Sequence, residues 1–341
     1  MIGRMFFVGL YTNDLSIIKR LIQECHVVGI LLYSKNYKSY EEMIELINHI
    51  HAFAEEVHYS ILVGIDQEGY RVNWLPKEFK NLKSPFSFHE DVTAIQKHGE
   101  IIANILSESN ININFAPVLD IKRFPSNHPI GDRSFGEDAQ TVIKNTIPYI
   151  DEFTKKNVIS VVKHFPGHGA TKINSHYFLP IIWNTKRLFK EDVLPFIEAI
   201  HHQIDVVMIG HFIIPKFSFF EPVSINKKMI QFLRNDLNFK QVIMTDDLAM
   251  GPLKLCNKVR LFKKAINHGV NIIMVKYYDR FFDDFHKLEK IKGLNKENIA
   301  NANDLVEQLI IKYQINNHFV FNHLNVSKIN EEITELNKLA K

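Results

Sequence analysis

The sequence predicts an α/β fold, a closed (β/α)8 barrel followed by extra C-terminal helices, and three observations carry this prediction. First, eight short apolar runs recur along the chain, and most of them are rich in Val and Ile. Second, most of the runs are apolar at both odd and even positions, which is typical of parallel strands buried on both faces. Third, segments with a helical spacing of apolar residues lie between most of the runs. Eight strand–helix repeats favour a closed barrel over an open sheet.

The predicted strands, in chain order, are Phe6–Leu10, Val27–Leu32, Ile61–Ile65, Ile111–Phe115, Val158–Val162, Ile204–Ile209, Val242–Met244 and Val270–Val275. Helical patterns lie at Tyr40–Ala54, His89–Leu106, Ala139–Thr154, Lys186–His201, Asn226–Leu237 and Arg260–Asn267. Two more patterns, Asn295–Tyr313 and Val326–Leu339, have no strand partner, so we expect these helices to pack on the barrel. No Pro-, Gly- or Ser-rich linker interrupts the chain. We therefore expect a single domain over residues 1–341, with the barrel at about 5–290 and the packing helices at about 293–341.

Composition excludes several classes of protein. The 341 residues are 46% hydrophobic, and 41 basic and 38 acidic residues leave a net charge of +3, which is too balanced to indicate a nucleic-acid-binding protein. No apolar run approaches the roughly 18 residues of a membrane span. The apolar run near the N-terminus soon meets Asn13-Asp14 and has no signal-peptide cleavage site. We expect a cytoplasmic monomer with no nucleic-acid or membrane partner.

Ionisable residues follow the third to the seventh predicted strands, and in a barrel enzyme the carboxyl ends of the strands carry the active site. These residues are Asp66, Asp120, Lys163, His164, His211, Asp246 and Asp247. The segment after the fifth strand, KHFPGHGATKINSH, adds His168 and His176 around a Pro-Gly turn. We expect these groups to meet in one hydrolytic site.

Asp246 is the candidate nucleophile, because a carboxylate suits attack on the anomeric carbon of a sugar. The neighbouring Asp247 is expected to cap a helix over Leu248–Leu253. His176 lies in a glycine-containing loop and is the candidate general acid and base, since an imidazole on a movable segment can protonate a leaving oxygen and then deprotonate water.

Four other residues are candidates for binding a sugar. Asp66 can accept hydrogen bonds from two adjacent hydroxyls, while Lys163 and His164 can donate to sugar oxygens. The guanidinium of Arg133 can hold substrate oxygens; the alternative is an ion pair with an acidic neighbour in its own loop, Asp132 or Glu137.

Asp120 is expected to tie loops together at the barrel mouth. The loop after the fifth strand has no H-E-x-x-H spacing, so we expect neither a metal nor a cofactor.

Five motifs in register resemble family-three glycoside hydrolases, and most nearly the single-domain bacterial β-N-acetylglucosaminidases of peptidoglycan recycling. The motifs are KHFPGHG with NSHYFLP, IDQEGYRV at Ile65–Val72, NINFAPVLD at Asn112–Asp120, DRSFGED and TDDLAM, and the likeness runs over residues 5 to 280.

The resemblance implies an enzyme that removes terminal N-acetylglucosamine from muropeptides by cleaving its β-1,4 bond to anhydro-N-acetylmuramic acid. It implies retention of configuration through a covalent glycosyl-enzyme on Asp246, with His176 as acid and base. The substrate hydroxyls would be held by Asp66, Arg133, Lys163 and His164.

The chain departs from this family's pattern at two positions. Asn174 stands where the family has an Asp that pairs with the catalytic His, so we expect a lower pKa for His176 and slower turnover of poor leaving groups. Trp74 stands where the family usually has an Arg, and its indole could stack on a sugar face. These departures keep open a weakly active or non-catalytic sugar-binding derivative. A phosphorylase of the same family is a third alternative.

Overall fold

The computed structural model describes residues 1–171, 179–318 and 324–341. Eight parallel strands form its centre, and their order in the ring follows the chain from β1 to β7, with β8 beside β1. The strands are β1 (Phe6–Gly9), β2 (Gly29–Leu32), β3 (Leu62–Ile65), β4 (Ile113–Asn114), β5 (Ile159–Phe165), β6 (Val206–Ile209), β7 (Val242–Thr245) and β8 (Ile273–Lys276). A parallel bridge between Met244 and Ile272 closes the ring. The predicted (β/α)8 TIM barrel is confirmed.

Asparagine side chains explain why the fourth apolar run alternates with polar residues. The Oδ1 of Asn112 accepts a hydrogen bond from the Val63 N–H at 2.9 Å, and the Oδ1 of Asn114 accepts one from the Gln67 N–H at 2.9 Å. Both amides are buried and bind backbone groups of the chain around β3. They supplement the ladder of β4, which is only two residues long.

Two apolar layers surround the strands. Inside the ring, Phe7 and Phe115 meet edge to face with centroids 5.2 Å apart, and methionines of β6 and β7 fill the space beside them. The larger layer lies between the strands and the outer helices. Because both faces of each strand are buried, few polar residues are tolerated along the strands, and polar residues gather at their carboxyl ends.

The outer helices are α1 (Leu15–Gln23), α2 (Tyr40–Glu55), α3 (Val92–Glu108), α4 (Ala139–Lys155), α5 (Thr185–Arg187), α6 (Leu194–His201), α7 (Lys227–Gln231), α8 (Lys258–His268), α9 (Phe281–Lys290), α10 (Lys296–Lys312) and α11 (Val326–Asn337). All eight predicted helical segments are helical. Two of them contain π-helical turns, at Leu188–Asp192 and Phe232–Asp236. The helices α1 and α9 were not predicted, although Asp14 caps α1 and its apolar residues recur at helical spacing.

The two C-terminal helices pack on the barrel as expected. Residues of α10, among them Val306, Leu309 and Ile310, join the apolar cluster inside the ring and cover its amino end. Near the end of α10, the Lys312 ammonium and the Tyr313 hydroxyl both bind the carboxylate of Asp205, which precedes β6. No helix among the described residues is long and apolar enough to span a membrane.

Candidate active site

Lys163 lies near the end of β5, and its ammonium joins two carboxylates that follow β3. Its Nζ is 2.5 Å from the Oδ1 of Asp66 and 2.5 Å from the Oε1 of Glu68. The Lys163 side chain is 2% exposed, Glu68 is 3% exposed and Asp66 is 29% exposed. Asp66 is therefore the member of this cluster that a ligand can reach, whereas Glu68 is committed to the protein.

Arg133 completes the cluster by binding Glu68 with a two-pronged contact. Its Nε and one terminal nitrogen donate to the two Glu68 oxygens, each at 2.7 Å, and the other terminal nitrogen donates to the Pro129 carbonyl. Of the five guanidinium N–H groups, two remain for a ligand. The expected alternative, a pair with Asp132 or Glu137, is wrong: both of those carboxylates instead face Lys122.

The two carboxylates of this cluster have opposite pKa shifts. Burial raises the pKa of Glu68, but the charges of Arg133 and Lys163 outweigh burial, so its pKa lies well below the ordinary value. Burial is the main cause that raises the pKa of Asp66, and together with the negative charge of Glu68 it outweighs the lowering by Lys163 and Arg133. Two carboxylates share one ammonium here, so the one without the guanidinium holds its proton more tightly.

Asp120 was predicted to hold loops together at the barrel mouth, and it orients the ring of His164. Its Oδ2 is 2.7 Å from the His164 Nδ1 and accepts from the His164 N–H, while its Oδ1 accepts from the His168 N–H at 2.5 Å. Burial by itself would raise the pKa of Asp120. The imidazoles of His164 and His168 and their hydrogen bonds lower it by more than burial raises it, so the pKa lies below the usual range. An ionised Asp120 fixes the proton of His164 on Nδ1 and leaves Nε2 for a ligand.

Asp246 follows β7 at the same end of the ring. It is half-buried, its N–H donates to the Ile209 carbonyl at 3.0 Å, and its Oδ1 accepts from the Asp247 N–H at 2.7 Å. The expected cap by Asp247 of a helix over Leu248–Leu253 is wrong. Asp247 instead accepts from the N–H groups of Ala249 and Lys276, because residues 248–250 form a turn that is bound to the end of β8.

Tyr33, which follows β2, is a residue at the site that the sequence did not predict. Since Leu32 pairs with Ile65 in the ladder, Tyr33 stands at the level of Asp66 on the neighbouring strand. Burial raises the pKa of Tyr33 strongly, and the negative charges of Asp247, Asp66 and Asp246 add to this. The charges of carboxylates that follow both β3 and β7 therefore act on the pKa of the Tyr33 phenol. The signal in the sequence was its position directly after an apolar run.

Trp74 lies beside Tyr33, with ring centroids 6.0 Å apart and the rings nearly perpendicular. The backbone N–H of Trp74 donates to the side chain of Gln67, and its backbone carbonyl accepts from the Tyr37 hydroxyl. Trp74, one of the two departures from the resemblance, therefore packs beside Tyr33 at the end of β2.

Asn174 and His176 lie outside the described residues. The segment just before them is attached to the loop after β4, since the His128 Nε2 is 2.8 Å from the Thr171 carbonyl while its Nδ1 accepts from the Ile130 N–H. Burial lowers the pKa of His128, which favours the neutral ring that makes both bonds. Among the described residues no group of three or more His, Cys, Asp or Glu side chains is placed to hold a metal ion.

The fold and the site define the class of the protein, and comparisons with known proteins agree. Residues 2–311 match the model of the glycosyl hydrolase family 3 N-terminal domain. The chain belongs to this family, and it is a glycoside hydrolase of the β-hexosaminidase type. It is 30% identical over 304 residues to a β-hexosaminidase from Haemophilus influenzae, a match that covers 82% of this chain and 85% of the relative.

Two solved structures show the same fold. A family 3 β-N-acetylglucosaminidase from Paenibacillus sp. FPU-7 superposes with a TM-score of 0.91 at 26% identity, over 99% of this chain and 68% of that protein. NagZ from Neisseria gonorrhoeae, solved with N-trifluoroacetyl-D-glucosamine, superposes with a TM-score of 0.80 at 23% identity, over 99% of this chain and 98% of that protein.

Proposed function

We propose that the protein is a retaining exo-β-N-acetylglucosaminidase that removes terminal N-acetylglucosamine from muropeptides in the cytoplasm, acting as a monomer during cell-wall recycling. One observation supports this above the others: Asp246 follows β7 at the same end of the barrel as the cluster of Asp66, Lys163 and His164. A nucleophilic carboxylate thus shares one site with groups that suit sugar hydroxyls. The family and its β-hexosaminidase relatives support the same sugar.

In this proposal Asp246 attacks the anomeric carbon and forms the covalent glycosyl-enzyme. The strands β5, β6 and β7 are consecutive in the ring. The segment after β5 that carries His176 therefore begins two strands away from Asp246. His176 protonates the leaving oxygen and then deprotonates water, and Asn174 orients its ring without supplying a charge.

Substrate hydroxyls would bind at the other side of the mouth. Asp66 accepts from two adjacent hydroxyls, since it is the reachable carboxylate of its cluster. His164 presents its Nε2 to a sugar hydroxyl, and Arg133 offers its two remaining N–H groups. Lys163 keeps the Asp66 carboxylate in place and adds a donor. Trp74 is proposed to contact a face of the sugar.

The test is hydrolysis of a chromogenic N-acetyl-β-glucosaminide by the native protein and by the Asp246→Ala variant. We expect at least a 1000-fold loss of kcat in the variant, with thermal unfolding unchanged within a few degrees. A matched control is Asp304→Ala, which removes an exposed carboxylate on α10 and should leave kcat unchanged. A 2-fluoro analogue should give a mass adduct on Asp246. Equal activity of Asp246→Ala and native protein would exclude the proposed nucleophile.

A phosphorylase of the same family is the second candidate, because a histidine acid, unlike a carboxylate, does not repel an incoming phosphate. The sequence feature that favours the phosphorylase is therefore His176, the proposed histidine acid. Product analysis with and without phosphate separates the two candidates. Free N-acetylglucosamine at the same rate in both conditions supports the hydrolase, and a sugar phosphate supports the phosphorylase. No adduct and no turnover would favour a sugar-binding derivative.

A further inference from the structure

A groove of about 1000 Å³ lies on the outside of the barrel, beside the loops that follow β5 and β6. Its floor contains three aromatic rings, and Phe189 and Phe232 pack edge to face with centroids 5.2 Å apart. The lysines that line it are Lys186, Lys190, Lys216 and Lys228, and the phenylalanines are Phe189, Phe217 and Phe232. Both helical segments that flank the groove contain a π-helical turn, so they do not pack as two regular helices would.

Three large aromatic side chains stand exposed next to this groove. Trp183 is 69% exposed, Phe219 is 58% exposed and Phe220 is 97% exposed. Trp183 and Phe219 come from different loops, and their ring centroids are 6.4 Å apart. Single exposed apolar residues are common, but neighbouring rings from two loops indicate a binding surface. We call the three rings and the lysine-lined groove the aromatic–lysine surface.

Backbone pairing connects the aromatic–lysine surface to the barrel mouth. Ile181 forms a parallel bridge with Ile213, and the Ile182 N–H donates to the Ile213 carbonyl at 2.9 Å. Ile213 is two residues beyond His211, whose ring bonds the Asp247 carbonyl at 2.9 Å. Trp183 is two residues beyond the bridge. Each extended residue advances about 3.3 Å and the step between paired strands adds about 4.8 Å, so Trp183 lies within about 25 Å of the end of β6 along this path.

The chemistry of the site decides which part of a substrate meets this surface. A general acid protonates the leaving oxygen, so the leaving group lies on the side of the site from which the acid comes. The acid proposed above is on the segment after β5, and the chain continues from that segment directly into Trp183 and Lys186. The departing part of the substrate therefore passes the loops after β5 and β6.

We propose that the aromatic–lysine surface binds the leaving group of the substrate and selects leaving groups that carry carboxylates. This inference rests on the proposed hydrolase function. Trp183 and Phe219 offer apolar faces for a second sugar ring, while Lys186, Lys190 and Lys216 attract the acidic groups attached to it.

The charges of the surface fit an anionic ligand. Within residues 1–171, 179–318 and 324–341, none of the four groove lysines has an acidic partner within 4.0 Å, and Asp236 is the single acidic residue that lines the groove. The Lys216 ammonium lies 4.7 Å from the centre of the Phe189 ring. Such a cation on an aromatic floor can bind a carboxylate while the ring covers apolar atoms of the ligand.

Three substrates with the same terminal sugar test the proposal. They are the chromogenic N-acetyl-β-glucosaminide, the disaccharide N-acetylglucosaminyl-anhydro-N-acetylmuramic acid with its one lactyl carboxylate, and this disaccharide with an acidic tripeptide attached. For the double variant Lys186→Gln/Lys216→Gln we expect kcat/KM to fall about threefold on the disaccharide and tenfold or more on the peptide-bearing substrate. The chromogenic substrate should change less than twofold. Trp183→Ala should lower kcat/KM about tenfold on both natural-type substrates.

The matched control is Lys290→Gln/Lys292→Gln, which removes two exposed lysines at the end of α9, the helix that runs back to the amino end of the barrel. This control should leave all three substrates unchanged. An equal loss on all three substrates in the Lys186→Gln/Lys216→Gln variant, or no loss on any, would overturn the proposal. If native protein does not turn over the chromogenic substrate, the proposed function itself fails. If the native protein turns over all three substrates and the variants have the same kcat/KM as the native protein, only the proposal of a leaving-group site fails.

Discussion

Arg133 donates two hydrogen bonds of 2.7 Å to the Glu68 carboxylate. This contact fixes the orientation of the carboxylate that forms an ion pair with Lys163. The buried pair is part of a network of two cations and two anions. Its members come from β5 and from the loops after β3 and β4, so it fastens three neighbouring parts of the barrel mouth together. Removing one charge leaves its partner unpaired in a buried place, which is far more costly than losing an exposed pair.

We therefore expect Glu68→Gln to lower the free energy of unfolding by about 3–5 kcal/mol, as buried pairs with one partner removed usually do. The chain offers a matched control in Arg20 and Glu24, which form the same two-pronged contact on an exposed helix face. Glu24→Gln should cost less than about 1 kcal/mol. Urea unfolding of both variants measures the difference, and similar costs would show that burial does not govern the pair.

Asp120→Asn should weaken sugar binding through His164. The amide can accept one hydrogen bond, but it supplies no charge and can present its NH2 group to the imidazole, so the ring loses its fixed orientation. We expect KM for the chromogenic substrate to rise about tenfold with a smaller change in kcat. Asp138→Asn, which alters an exposed helix cap, serves as the control. A fall in kcat with KM unchanged would show that His164 acts in the chemical step.

His98 should make the protein less stable in acid. Its ring is fully buried, and burial lowers its pKa to about 4, whereas an unfolded His titrates near 6.5. The unfolded state therefore binds the proton first, so stability is complete above about pH 6.5 and falls as pH drops toward 4. His98 alone should cost about 2 kcal/mol between pH 7.5 and pH 5.0.

Urea unfolding at these two pH values measures this loss, and His98→Phe should reduce the difference by the same amount. His168 titrates in the same direction, since burial lowers its pKa to about 3. Part of the acid loss will therefore remain in the variant. An unchanged pH dependence in His98→Phe would contradict the assignment to His98.

Asn174→Asp introduces the residue that the resemblance implies beside the proposed acid and base, His176. We expect kcat on the disaccharide to rise several-fold, because a carboxylate stabilises the imidazolium that donates to a poor leaving group. The chromogenic substrate needs less protonation and should gain less. Steady-state kinetics on both substrates and the alkaline limb of the pH profile report the effect. Equal kcat in both proteins would mean that the charge is unimportant or comes from another group.

The fold was predictable because each strand is buried on both faces and carries its own apolar run. The differences lie where side chains replace regular backbone pairing. The amides of Asn112 and Asn114 supplement the short ladder of β4, and the strand β5 extends through Lys163 and His164 to Phe165 with a register irregularity against β6 between Val162 and Phe165. The change from apolar to polar residues predicts that the strand ends before Lys163, although Lys163 and His164 still belong to β5.

The partners in the site were harder to predict than its members. Position after a buried strand singled out Asp66, Lys163, His164 and Asp246, and the structure places them at one end of the ring. The bond from Arg133 to Glu68 joins residues 65 positions apart, and only folding reveals it. Tyr33 was missed because an apolar side chain after a strand looks like part of the core.

The helix α10 has a consequence for how the protein is made. It covers the amino end of the ring, and its Asn303 exchanges two 3.0 Å hydrogen bonds with Met1. Consider a nascent chain that has left the ribosome only as far as β8. It contains all eight strands, but the apolar amino end of the ring is still exposed to water. Because synthesis runs from β1 towards α10, all eight strands are made before the helix that covers their amino end.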